Sequence, residues 1–416
     1  MNELVERRIA PVISQRLSET PVLLLEGPRS VGKSVLLSQL ASTLGKPVLD
    51  LDEITYRQLA NNSPTAVADG ATPVLIDEYQ RAPILLDAIK ARLNRGTKPG
   101  MFVLAGSTSF DSLPPGTQAL TGRLQRLPIM PLTQTEIDGT SNDLIAAAFE
   151  GEVAHSTRPA TSTRTERIMR VMRGGMPLAL AQESEPARSR WFAAHVRESI
   201  TRDAGALRRI GRTTDLHDVL VRTVGQTGSL LNISKVAEQV KPSRGTTSDY
   251  LELLESLFLI QRLPSWGVTL LPRTIETPKV HVIDSGIGAY LLRLSTAKLE
   301  RLDPAALTEF GHLFESFVVQ EVVRQTTWMD APVAVGYWRT KDKLEVDLVL
   351  ERSDGAVLGI EIKAGDHIPG KELGPMMALR NRLGRSFMAG LVFYQGLSGY
   401  VAGDRIHVLP VERLWV

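Results

Sequence analysis

Gly27-Pro28-Arg29-Ser30-Val31-Gly32-Lys33-Ser34 stands between an aliphatic run, Pro21-Val22-Leu23-Leu24-Leu25, and a segment with apolar residues at helical spacing, Val35-Leu36-Leu37-Ser38-Gln39-Leu40. The first run is short, dense in branched residues and closed by glycine, so it reads as a buried strand. The octet therefore occupies a strand-to-helix turn, the setting a phosphate-binding loop requires. Gly27 and Gly32 let the backbone curl so that successive N–H groups point inward, and the helix N-terminus adds its unpaired N–H groups and positive dipole end. Lys33 can reach the β- and γ-phosphates, and the Ser34 hydroxyl can ligate Mg²⁺. The expected nucleotide-binding residues are Gly27, Pro28, Arg29, Ser30, Val31, Gly32, Lys33, Ser34 and Val35.

A second stretch, Pro73-Val74-Leu75-Ile76-Asp77-Glu78, is another apolar run, here ending in two acids. In P-loop ATPases the first acid of such a pair holds Mg²⁺ and the second orients the attacking water. Those roles would fall to Asp77 and Glu78.

The chain has 416 residues, enough for two to four domains with ample core. Its 48 basic and 46 acidic residues nearly balance, so any basic surface must be local. Cysteine is absent, which excludes disulfides, thiol catalysis and cysteine-ligated zinc or iron–sulfur sites. The seven histidines show no ligand spacing, and no apolar run reaches membrane-spanning length. The N-terminal stretch is amphipathic rather than signal-like. A cytoplasmic protein with no membrane partner is expected.

Up to about Glu150, strands and helices alternate, which argues for a parallel sheet covered on both faces. Pro47–Leu51 reads as a strand and Ile84–Leu93 as a helix. The next strand, Met101–Gly106, runs into Ser107-Thr108-Ser109 at its carboxyl end, where ligands of open α/β sheets sit. These hydroxyls could bond the γ-phosphate or its attacking water, Ser107 first among them, or cap a turn. A proline-rich loop (Leu113-Pro114-Pro115-Gly116) and Gly122-Arg123 then lead into a last strand, Leu124–Met130.

This order of elements resembles the AAA+ ATPase core. The resemblance implies ATP and Mg²⁺ as cofactors and a homo-oligomer, a hexamer among the candidates. It also implies an arginine just before the last strand that reaches a neighbouring subunit's γ-phosphate. Arg123 holds that position, with Arg126 as its rival.

From Gly151 to Glu166 the chain is rich in Ser, Thr, Pro and Arg without periodicity, and reads as a linker. The arginine-rich stretch from Arg167 to Arg212 is expected to form helices and to match the small helical lid of the AAA+ family. Its arginines could face ATP, a neighbouring subunit or DNA, with a solvated helix face the default. From Asp215 to Trp266 the pattern of helices, a turn at Lys241–Gly245, a helix over Thr246–Ser256 and a strand over Leu257–Leu263 resembles a winged helix. Asp249, Glu252 and Glu255 make the recognition-type helix acidic, so packing or oligomerisation is as good a reading as groove binding.

Near the C-terminal end, Glu345–Glu351 and Val357–Lys363 alternate and flank Ser353-Asp354-Gly355, a hairpin. A three-residue loop with Gly355 left-handed pairs Arg352 with Ala356. It then matches Val346 with Ile362, Leu348 with Ile360 and Leu350 with Leu358, all apolar. A two-residue loop would set Asp347 against Ile362, so the hydrophobic pattern selects the longer one. On the opposite face Asp347 meets Glu361, and Glu345 meets Lys363. Two carboxylates directly across a strand pair repel, and a Mg²⁺ or Mn²⁺ ion between them would relieve it. Asp347, Glu361 and Lys363, with Glu315 on an upstream helix, resemble the PD-(D/E)XK nuclease motif, although Val346 stands where that motif has proline. The resemblance implies metal ligation by Glu315, Asp347 and Glu361, and a catalytic Lys363.

Taken whole, the sequence resembles a prokaryotic family in which an AAA+ domain precedes an uncharacterised domain. The expected organisation is an α/β protein with a P-loop core over 1–150, linker and lid over 151–212, a winged helix over 213–270 and a nuclease-like module over 271–416. An ATPase with a metal-dependent nuclease-like module acting on DNA is the leading reading. A nucleotide-controlled module that holds DNA or protein without cutting, and an assembly switch, are its rivals.

Overall fold

The computed structural model describes residues 4–112, 120, 122–153, 159–207, 212–267 and 277–416. The expected loop Leu113–Gly116 and two of the expected lid arginines, Arg208 and Arg209, lie outside these residues.

Five strands, β1 (Val22–Glu26), β2 (Val48–Asp50), β3 (Val74–Asp77), β4 (Phe102–Gly106) and β5 (Leu124–Pro128), form one parallel sheet in the order β2-β3-β4-β1-β5. β1 is buried on both faces, as its unbroken aliphatic run requires. Leu23 and Leu25 pack with Leu36 and Leu37 of the helix Lys33–Leu44. Val22 and Leu24 turn the other way, toward Leu85, Leu86 and Ile89 of the helix Ile84–Asn94.

The expected linker ends earlier than its composition suggests. Thr163 and Glu166 form a reciprocal capping box that starts a helix at Arg164 and runs it to Arg173. The helix Glu185–Glu198 follows and widens into a π turn, Ser199–Asp203.

The next unit runs helix (Thr213–Val224), β6 (Ser229–Leu230), helix (Ile233–Glu238), helix (Arg244–Ser256), β7 (Ile260–Leu263) and β8 (Lys279–Val282). Its antiparallel sheet has the order β6-β8-β7. The boundary expected at residue 270 cuts this sheet, because β8 pairs with strands on the other side of it. Gly245, expected in a turn, lies inside the helix, whose N-cap is Ser243.

A 23-residue helix, Pro304–Thr326, leads into β9 (Val333–Arg339), β10 (Glu345–Arg352) and β11 (Val357–Lys363), an antiparallel meander. The helix Gly374–Leu383 then crosses to β12 (Phe387–Tyr394), parallel to β11, and β13 (Tyr400–Gly403) and β14 (Ile406–Pro410) complete the sheet β13-β14-β12-β11-β10-β9. Leu348 pairs with Ile360 and Leu350 with Leu358, Gly355 has φ +87°, and the Arg352 N–H donates to the Ala356 carbonyl. One expected pair fails. The register against β9 shifts between Val346 and Val349, and Val346 joins Val349, Trp266 and Trp338 in an apolar cluster separate from that of Ile362. A β-bulge re-aims side chains in this way and often lies beside a site.

These units share one core. Leu23, Ile168, Leu220, Phe314 and Leu348 belong to a single continuous apolar cluster. The C-terminus returns to the first unit, where the Thr140 hydroxyl donates to the Trp415 carbonyl and the Arg170 guanidinium lies over the Trp415 ring.

Candidate functional site

The octet curls at the carboxyl end of β1. Ser30 (φ +63°) and Gly32 (φ +99°) are both left-handed, which turns successive N–H groups into one concavity. A Cβ on Gly27 would collide with the Ile129 carbonyl oxygen, so only glycine lets the loop pass β5. Lys33 Nζ lies inside the loop and donates to the carbonyls of Gly27 (2.9 Å) and Pro28 (2.7 Å). Burial pushes this amine down to about 8, against the charges of Glu78 and Asp77.

Asp77, at the end of β3, is buried and lies beside the Ser34 hydroxyl. This is the juxtaposition that a phosphate-bound Mg²⁺ needs, a loop hydroxyl beside a carboxylate. Burial pushes the Asp77 carboxyl up, and the nearby Ser34 hydroxyl opposes it. Glu78 is left-handed (φ +52°), and its carboxylate accepts the Gln80 amide and, at 3.3 Å, the Ser107 hydroxyl. Burial also pushes Glu78 up, with Lys33 pulling it back. Ser107 therefore touches Glu78 directly, and Ser109 caps a turn by accepting from Ser112 at its carbonyl.

Three features escaped the sequence. The Arg7 guanidinium braces the loop, donating to the carbonyls of Val31 and Met130 (both 2.8 Å) while paired with Glu136 at 2.9 Å. From the lid side, Asp203 in the π turn holds the Arg29 guanidinium at 2.9 Å. A cavity of about 480 Å³ opens beside the helix Lys33–Leu44, lined by Val5, Val31, Val35, Leu132, Ile137 and Leu178. Only Val31 and Val35 of these were expected near a nucleotide. The remaining residues come from distant segments that no local pattern links.

Arg123 is half-buried just ahead of β5 and donates to Asn94 Oδ1 at 2.7 Å. Its rival Arg126 is tied to Asp111 at 2.5 Å and lies over the Phe110 ring. Several lid arginines have structural partners rather than a solvated face. Arg167 and Arg188 are buried and donate to backbone carbonyls, of Gln395 and of Ala179 and Gln182.

At the C-terminal constellation the acids converge on a lysine that the sequence reading did not include. Lys279 Nζ, with its side chain 2% exposed, lies 2.9 Å from Glu315, 2.7 Å from Glu345 and 2.9 Å from Asp347. Burial would lower this amine, but the Asp347, Glu315 and Glu345 charges outweigh burial and hold it above its ordinary value. The other Asp347 oxygen accepts the Ile362 N–H at 2.9 Å. Glu361 pairs with Lys363 at 2.8 Å, and Lys363 also approaches Glu372 at 3.6 Å. Burial, and then the charge of Asp347, push both Glu315 and Glu361 up to about 8. The expected contact of Glu345 with Lys363 is replaced by ion pairs to Lys279 and Arg339. Among the described residues, no three His, Asp or Glu side chains are arranged to hold a metal ion.

Residues 19–138 match the family model of an AAA domain. Residues 164–298 match one domain of unknown function, DUF8612, and residues 310–414 another, DUF4143. Uncharacterized proteins of Mycobacterium tuberculosis and Mycobacterium bovis are each 26% identical over 364 residues, 86% of this chain and 74% of theirs. Among solved structures, a Walker-type ATPase of Pyrococcus abyssi is similar over 70% of this chain and 96% of that one, at 13% identity and a TM-score of 0.40. The RuvB Holliday junction branch migration motor of Thermotoga maritima is similar over 61% and 89%, at 18% identity and a TM-score of 0.28. The chain thus carries an ATPase-like AAA domain on a parallel sheet of P-loop type. No described helix is long and apolar enough to cross a membrane.

Proposed function

We propose that this chain binds ATP with Mg²⁺ and hydrolyses it, and that its nucleotide state controls a C-terminal module acting on nucleic acid. The observation that carries the ATPase reading is the placement of Ser34 beside Asp77 at the mouth of the left-handed loop, with Glu78 fixed beside it by Gln80 and Ser107. Ser34 and Asp77 would hold the metal ion, which supplies charge neutralisation on the phosphates when bound. Lys33 exchanges its two carbonyl partners for phosphate oxygens. Glu78 orients the attacking water, and its raised carboxyl makes it a better proton acceptor near neutral pH. The 480 Å³ apolar cavity supports a nucleobase seat.

Assembly into a homo-oligomer, with Arg123 serving a neighbour's site, extends the same reading. Two topologies support the nucleic-acid half. The helix–strand–helix–helix–strand–strand order with sheet β6-β8-β7 fits a winged helix. The run of helix, β9-β10-β11 meander, helix and parallel β12 fits a PD-(D/E)XK sheet. Asp249 and Glu252 are exposed, which disfavours groove reading by the helix Arg244–Ser256.

The experiment is direct. Lys33→Ala should abolish calorimetrically detectable ATP binding, whereas Glu78→Gln should bind normally and hydrolyse at least about 100-fold more slowly. Wild-type turnover by Glu78→Gln would overturn the role of Glu78. Filter binding of single- and double-stranded DNA, with ATP and with ADP, tests the nucleic-acid half.

A further inference from the structure

A metal-dependent nuclease needs its carboxylates free for the ion, and here each has at least one oxygen already paired with a cation, although Glu361 Oε2 is buried without a partner. Glu315, Glu345 and Asp347 all contact the one ammonium of Lys279, within 2.9 Å. Glu361 is engaged by Lys363 and Glu345 also by Arg339. A divalent ion ligated by Glu315, Glu345 and Asp347 would therefore have to displace the Lys279 ammonium that all three already contact.

Lys279 cannot easily withdraw. It lies on β8, the central strand of its sheet, with Leu230 paired on one side and Leu263 on the other. Its neighbours are held as well. The His281 ring and the Thr227 hydroxyl both bond the Ser316 hydroxyl, next to Glu315 in sequence. The backbone that aims the ammonium is therefore clamped, and the stem is buried.

We infer that Lys279 is a built-in cation standing where the divalent metal of a nuclease would stand, so that the C-terminal sheet engages nucleic acid without a metal ion and without cutting it. This rests on reading Asp347, Glu361 and Lys363 as a nuclease-type set. The cluster then serves as an electrostatic joint. It ties β8 to β10 and to the helix Pro304–Thr326, so the module keeps its shape without metal.

The test uses the full-length, nucleotide-free protein with Mn²⁺ alone as the probe. Binding is read from loss of the free-ion paramagnetic signal and from the melting temperature. Wild type should bind no more Mn²⁺ than Asp347→Asn does. Lys279→Met keeps the stem and removes the charge. It should bind Mn²⁺ at least about tenfold more tightly than wild type and melt higher with the ion present, because the ion binds only the folded cluster. Adding Asp347→Asn to that variant should erase the gain. Mn²⁺ binding by wild type that Asp347→Asn abolishes would overturn the inference. So would a cooperatively melting Lys279→Met variant that binds no better than wild type. Should Lys279→Met fail to fold, the comparison of wild type with Asp347→Asn decides alone. No nucleic acid is present, so a chain that never binds DNA would leave the outcome unchanged.

Discussion

The backbone N–H of Gln134 donates to Glu321 Oε1 across 2.8 Å, inside a fully buried region. Gln134 begins the short helix that closes the AAA domain, and Glu321 lies on the same long helix as Glu315. That bond therefore ties the ATPase core to the helix bearing the acidic cluster. Arg324, one turn on, donates to the carbonyls of Leu132 (3.0 Å) and Ile283 (2.7 Å), tightening the junction.

Removing the tie should cost more than neutralising it. Glu321→Ala leaves a buried N–H unpaired and should lower stability by about 2 kcal/mol in urea denaturation. Glu321→Gln keeps an acceptor and should cost less. Burial raises the Glu321 carboxyl to about 7, above its unfolded value. Its stabilising share is therefore full below about pH 4.5 and lost as pH rises through about 7. Over that window Glu321→Gln should gain on wild type by up to about 3 kcal/mol. A difference independent of pH would refute the assignment.

Arg123 lies just ahead of an edge strand, and its side chain donates to Asn94. If it acts in trans, Arg123→Ala should keep ATP affinity within about threefold and lower hydrolysis by on the order of a thousandfold. Mixing it with Lys33→Ala should restore part of the activity, because hybrid interfaces then pair an intact loop with an intact arginine. No rescue under conditions of proven subunit exchange would assign Arg123 to its own subunit.

His195 carries a pH signature. It stacks on Trp191 at 4.9 Å, and burial, aided by the charges of Arg29 and Lys33, lowers its imidazole to about 4. The folded state thus binds fewer protons than the unfolded chain between about pH 4 and 6.5. The stability it contributes is present above pH 6.5 and falls on acidification, by about 3 kcal/mol in all. His195→Phe keeps the stack and removes the titration, so its melting temperature should fall less than wild type's from pH 7 to pH 5. Parallel curves would show that the folded imidazole titrates as it does in the unfolded chain, and that burial does not lower it.

What was legible in the sequence was local. The β1 run and its octet are adjacent in the chain, so strand, loop and helix follow from one window. The hairpin register followed from a single left-handed glycine and two apolar pairs, Leu348–Ile360 and Leu350–Leu358. The misplacement of Val346 came from β9, whose shifted register bulges β10, and no pattern within β10 records its partner. Lys279 was invisible for a similar reason. It stands in a four-residue strand, Lys279–Val282, and its meaning comes from Glu315, Glu345 and Asp347, which lie 36 or more residues away. Arg7, Asp203 and the apolar cavity likewise depend on contacts between distant segments.

That cavity supports the final prediction, which separates base from phosphate. Leu178 is 52% exposed at its rim, facing the space that Val5 and Val35 also line. A nucleobase seated there would cover this side chain, whereas the phosphate groups would lie over Gly27–Ser34. Leu178→Asp changes little in the free protein, because the position is already half in water. It should weaken ATP roughly tenfold, the size expected for losing about 1.4 kcal/mol of apolar contact. Inorganic tripolyphosphate has no base and should compete for the loop as well as it does in wild type. Equal weakening of ATP and tripolyphosphate would mean that the substitution disturbs the loop itself. No weakening of either would place the base elsewhere.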